Sequence, residues 1–157
     1  IGIGGFKTAH RGWLTLTVPP SSGLGSRASH KVVVKRPFHK VYPQGNSIDY
    51  RIGRFAAVDE LAKLFREANV LYWAKALLGF VYDFINHAIA DASDPPPFAI
   101  PQVWFVEAGL VLSYSQGNSK STLKTGTTRT AFLLEEVIEG EDFTKFIHNM
   151  DPDPLLD

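Results

Sequence analysis

Val58-Asp-Glu-Leu-Ala-Lys-Leu-Phe-Arg-Glu-Ala-Asn-Val-Leu-Tyr-Trp-Ala-Lys-Ala-Leu-Leu78 is the stretch on which the fold turns. Leu61, Leu64, Phe65, Ala68, Leu71, Tyr72 and Leu78 recur at the spacing that gathers side chains along one side of an α-helix. The segment is therefore expected to be an amphipathic helix packed by that stripe. Gly79 is expected to interrupt it or mark a join, with a second helical stretch running to about Ala90 through Val81, Phe84, Ile85, Ala88 and Ile89. Ser93-Asp-Pro-Pro-Pro97 then stops it, because proline lacks the N–H and clashes with the preceding turn.

Outward from this helical centre the period changes to two. On the N-terminal side, His30–Arg36 carries three consecutive valines, which favour a strand, and Pro37 ends it. Trp13–Val18 alternates as a strand does, and Pro19–Ser29 is loop chemistry throughout. On the C-terminal side, strand character returns at Gln102–Tyr114 and at Arg129–Ile138. Between them Ser115–Thr128 suits a long hairpin loop. Gly140 follows, and Phe143–Asn149 reads as a short helix. Strands, then helices, then strands imply an α+β fold whose antiparallel sheet carries the Val32–Lys35, Gln102–Tyr114 and Arg129–Ile138 strands with the helix packed on it.

The 157 residues suffice for one compact domain or one lobe of a larger one. Sixteen basic and sixteen acidic side chains cancel, which argues against a nucleic-acid-coating or membrane-surface protein. With no cysteine there is no disulfide and no thiolate zinc site, a composition compatible with the cytoplasm. No apolar run approaches the ~20 residues of a membrane span: Val70–Ile89 is broken by Lys75, Asp83 and His87. His10, His30, His39, His87 and His148 lack the paired spacing of a metal motif. The basic cluster from His30 to Lys40 lacks the aromatic interleaving of a single-strand RNA binder.

Four features carry chemistry. Gly2, Gly4 and Gly5 precede Phe6-Lys7, and glycines ahead of a strand let backbone N–H groups approach phosphate oxygens, although no Walker A lysine follows. Lys35 ends the valine strand, with Lys31 on the same face and Arg36 on the other, and a lysine so placed can hold a point charge against phosphates. Such a lysine often needs a helix carboxylate to fix it. Glu60 and Glu67 both sit beside the apolar stripe, with Glu67 the preferred partner for Lys35. Finally, Phe132-Leu-Leu-Glu-Glu-Val-Ile-Glu-Gly140 is an apolar strand running into acids and a glycine. A hinge between lobes has that form, and it binds a planar base by its backbone groups. Each feature also has a plainer reading: a flexible start, a solvated lysine, a wet helix face, a strand with its terminal turn.

In order and together, Gly-Gly-Phe-Lys-Thr-Ala (4–9), Val-Val-Val-Lys-Arg-Pro (32–37), Phe-Arg-Glu-Ala (65–68) and, above all, the run from Phe132 to Asn149 resemble the alpha-kinases, the atypical protein serine/threonine kinases. The resemblance implies an N-terminal lobe through hinge and the start of a C-terminal lobe over residues 1–157. The second lobe, with its catalytic Asp, metal-binding Gln and Asp, and zinc site, is absent from this stretch. It implies ATP and Mg2+ as cofactors, the metal ligands lying in that second lobe, and a protein Ser/Thr substrate. Lys35 matches the phosphate-binding lysine, Glu135 the hinge glutamate whose backbone faces adenine, Ile138 a second hinge contact, and Lys145 the second lysine near the phosphates. Gly4 and Gly5 belong to the first matching stretch and are read as nucleotide contacts. Glu141-Asp142 makes the gap before Lys145 one residue longer than the family's pattern, and His148 stands in a segment that is usually Asn-rich. On this reading the 157-residue chain alone transfers no phosphate. The alternatives are a non-catalytic nucleotide-binding or interaction module derived from such a lobe, and an unrelated α+β binding domain.

Overall fold

The computed structural model describes residues 2–43, 48–114 and 128–140. Five strands form one antiparallel sheet: β1 (Gly2–Ile3), β2 (Lys7–Leu14), β3 (His30–Pro37), β6 (Ala108–Tyr114) and β7 (Thr128–Glu136), in the spatial order β1-β2-β3-β7-β6. Two short strands, β4 (His39–Val41) and β5 (Arg51–Gly53), pair in a separate ribbon that leads into the one helix among the described residues, α1 (Ala57–Asp91). The fold is α+β with an antiparallel sheet, as the pattern of periods implies.

Opposite residues of an antiparallel pair share a face, and successive residues alternate faces. Register therefore sorts the side chains. Lys35 faces Ala9 on one side and Leu133 on the other, and Leu133 faces Leu110. This face belongs to the helix. Leu64 of α1 packs with Ala131 and Leu133 of β7, surrounded by Leu61, Ala68 and Leu71 of α1 and by Ala108, Leu110 and Leu112 of β6. Burying Leu64 and Leu133, both inaccessible, contributes roughly 1.5–3 kcal/mol per side chain. The helix covers the β6–β7 half of the face and leaves the β2–β3 half open.

The opposite face carries Val32, Leu134 and Thr8, all buried. Loop chemistry explains part of their cover. Gly23 and Gly25 take positive φ (78° and 86°), a region an L side chain rarely enters, and the turn brings Leu24 against Gly109 and Gly25 against Leu14 and Leu16. Ser26 closes the turn by donating to the Gly23 carbonyl (2.7 Å).

Several boundaries differ from expectation. The first long strand is Lys7–Leu14, not Trp13–Val18. A strand needs a partner to ladder with, and β3 begins at His30, opposite Leu14. The helix is continuous through Gly79, where nothing crowds the backbone. Of Gln102–Tyr114 only Ala108–Tyr114 is strand. Val103 instead donates its N–H to the Tyr82 hydroxyl (2.7 Å), and that hydroxyl donates to the Pro101 carbonyl (2.9 Å), tethering the segment to α1. The hairpin expected over Ser115–Thr128 and the helix expected over Phe143–Asn149 fall on residues that are not described, apart from Thr128 at the start of β7.

Candidate functional site: an open face of paired cations beside the end of the last strand

The open half-face is built by β2 and β3. Their register places Lys7, Ala9, Arg11 and Trp13 beside Pro37, Lys35, Val33 and Lys31. Four cationic side chains thus share one surface with a small floor of Ala9 and Val33. Lys31 and Lys35 are four residues apart, roughly 13 Å along the strand.

Carboxylates hold three of these cations. Lys7 pairs with Glu67 of α1, Lys35 with Glu135 of β7, and Lys31 with Glu139 (2.5 Å). Glu139 is solvent-exposed, and the Lys31 ammonium, first by hydrogen bond and then by charge, holds its carboxyl below the ordinary carboxylate value. The Lys31 ammonium also stands 5.9 Å from the centre of the Trp13 ring.

The expected pairing of Lys35 with Glu67, or with Glu60, is not the one found. Glu135 lies diagonally across from Lys35 on the adjacent strand and on the same face, within reach of two long side chains. Glu67 takes Lys7 instead, and Glu60 takes Arg36, whose Nε and Nη2 donate to the two carboxylate oxygens at 2.5 and 3.1 Å. A helix carboxylate does fix a strand lysine, but on β2. Sequence reading missed Lys7 and Arg11 because it placed the strand too late. The signal was there in Lys7-Thr-Ala-His-Arg-Gly-Trp-Leu14, where every second residue from Lys7 meets the open face.

At the Lys31 end the chain leaves the sheet. Glu136 donates its N–H to the Glu107 carbonyl (2.9 Å), Val137 its N–H to the Lys31 carbonyl (3.3 Å), and the Glu136 carboxylate accepts from the Glu107 N–H (2.9 Å). Bonds at 136 and 137 point to opposite neighbours, so the backbone groups of Glu135 point to Val33, inside the ladder. Ile138 and Gly140 lie past the last strand residue. They line a groove of about 390 Å³ with Arg11, Gly12 and Lys31. A second hollow of about 690 Å³ adjoins it, sharing Trp13, Lys31, Val137 and Glu139 and walled by the Ser26–His30 segment.

Gly4 and Gly5 form the β1–β2 turn at the Lys35 end. The Gly4 N–H closes this turn on the Lys7 carbonyl (2.9 Å), and a Cβ on Gly5 would meet only open space. Lys145 lies outside the described residues. Among the described residues no three His, Asp or Glu side chains come together as a metal site, and no helix is long and apolar enough to cross a membrane.

No family model, no curated protein and no solved structure matches this chain.

Proposed function

We propose that the β2–β3 half-face binds ATP and that the chain is the nucleotide-binding lobe of an alpha-type protein serine/threonine kinase. The observation that carries this reading is the row of Lys7, Arg11, Lys31 and Lys35 on one open face, running from the β1–β2 glycine turn to the point where the chain leaves β7. The base would lie at the groove beside Ile138 and Gly140. The ribose would lie over Ala9 and Val33, and the phosphates toward Lys35. The ~13 Å between the Lys31 and Lys35 levels suits an extended nucleoside triphosphate.

On this proposal the protein's contribution is positioning and charge. Glu135 and Glu67 hold the Lys35 and Lys7 ammonium groups in place before phosphate arrives. Lysine then meets the phosphates as a point charge. Mg2+ would neutralise the phosphates of a bound nucleotide. The described residues offer no protein ligand set for it, so no step is assigned to the metal. Transfer of the γ-phosphate to a protein Ser or Thr hydroxyl belongs, by the resemblance, to a kinase domain completed by a second lobe.

Calorimetric titration with Mg-ATP and with adenosine tests the reading. Lys35→Gln is expected to weaken ATP by about 1.5–3 kcal/mol, tenfold or more, and to leave adenosine binding unchanged. Glutamine keeps a donor to the Glu135 carboxylate but not the charge, so a modest drop in melting temperature is expected, and the adenosine titration shows that the variant is folded. Absence of saturable ATP binding, or equal ATP affinity in the two proteins, would sink the proposal.

A further inference from the structure

The side of α1 turned away from the sheet is apolar. Val70, Trp73, Leu77, Phe80 and Phe84 are between 61% and 75% exposed. Their spacing alternates between three and four residues, the pattern of a seam that packs helix against helix. Arg66 and, at the far end, His87 and Asp91 continue the same row and are exposed. The inward row, with Leu64, Ala68 and Leu71, already packs on the sheet. The outward row therefore needs a partner of its own.

We infer that the outward face of α1 is a homodimer interface, formed by two copies of this helix packed antiparallel. In antiparallel helix packing the two kinds of seam position face one another. One register then puts Leu77 against Phe80 of the second copy, Trp73 against Phe84, Val70 against His87, and Arg66 against Asp91. The two-fold axis repeats each contact. Arg66 and Asp91 have no ion-pair partner among the described residues, and this register gives each one at both ends of the seam. Ala74 and Ala76 flank the seam and allow close approach. The five apolar side chains present on the order of 600 Å² per copy, so the pair covers on the order of 1,200 Å², the lower bound of a stable interface. A second copy fits this face because the row is complementary to its own reverse in size and in charge.

Sedimentation equilibrium over a range of protein concentrations tests the inference. The parent chain is expected at twice the monomer mass, and Leu77→Lys at the monomer mass with unchanged helicity by circular dichroism, since Leu77 touches solvent. Arg66→Asp and Asp91→Arg are each expected to raise the dimer dissociation constant about tenfold. The double variant, which restores opposite charges across the seam, is expected to recover most of that loss. A monomeric parent, or a dimer indifferent to Leu77→Lys, would overturn the interface and leave the face to some other partner. Failure of the double variant to recover would overturn the antiparallel register.

Discussion

Glu60 is a fully buried carboxylate in the first turn of α1, and its charge is tolerable there for two reasons. The helix N-terminus favours an anion, and Arg36 donates to both of its oxygens. Removing the arginine leaves the acid buried and alone. Arg36→Ala is therefore expected to cost about 2–3 kcal/mol in urea unfolding, at the lower end for a broken buried pair because the guanidinium is partly exposed. Glu60→Gln, which keeps acceptor and donor capacity without the charge, should cost less. A smaller loss for Arg36→Ala than for Glu60→Gln would contradict this account. Gly25 sets a second residue-scale demand. At φ 86° a side chain is strained, and Gly25→Ala is expected to destabilise by about 1–2 kcal/mol. Spacing along α1 was enough to mark Glu60 and Glu67 as acids beside the apolar stripe. It could not name their partners, because which cation meets which acid depends on sheet register and on how the helix crosses the sheet, neither of which is local.

At the scale of elements, α1 is continuous where sequence reading expected a break. Gly79 costs a helix about 1 kcal/mol in backbone entropy relative to alanine, which is too little to end a helix whose flanking turns are sound. Its surroundings are open, so an added methyl group meets nothing. Gly79→Ala is accordingly expected to stabilise the protein by about 0.5–1 kcal/mol in urea unfolding. A destabilised variant would mean that the helix bends or closes against something at that point. The helix itself, the valine strand and the last strand were legible because each is long and strongly periodic. The first strand was misplaced because Thr15-Leu-Thr-Val18 continues the alternation past the point where β3 can pair with it. The β4–β5 ribbon was not read at all, as three-residue strands carry almost no period.

At the scale of the whole molecule, the last strand in the chain is an interior strand of the sheet. β7 lies between β3 and β6, so Glu135 reaches Lys35 on one side while the chain beyond Glu136 emerges beside Lys31. Lys35 and Glu135 lie on adjacent strands and pair, whereas Ile138 lies past the end of β7, at the Lys31 end of the face. Sequence reading gave Glu135 a backbone role at the base, whereas the ladder turns that residue's backbone groups toward Val33 and its carboxylate to Lys35. The order of strands in a sheet is a tertiary property, which is why this division of roles was not legible. It relocates the test of the proposed hinge to Ile138, the first residue past the Val137–Lys31 hydrogen bond. If the Ile138 N–H reads the edge of the base, Ile138→Pro deletes that donor and is expected to weaken ATP by about 1–3 kcal/mol. Ile138→Leu keeps both the N–H and the apolar surface over the groove and should be nearly silent. The proline also restricts Val137 to extended backbone, so both variants need melting curves that match the parent. Adenosine should show the same loss as ATP, because the contact is with the base and not with the phosphates, the reverse of what Lys35→Gln is expected to give. Two folded variants with equal affinity would remove Ile138 from the base contact, whatever Lys35 does with phosphate.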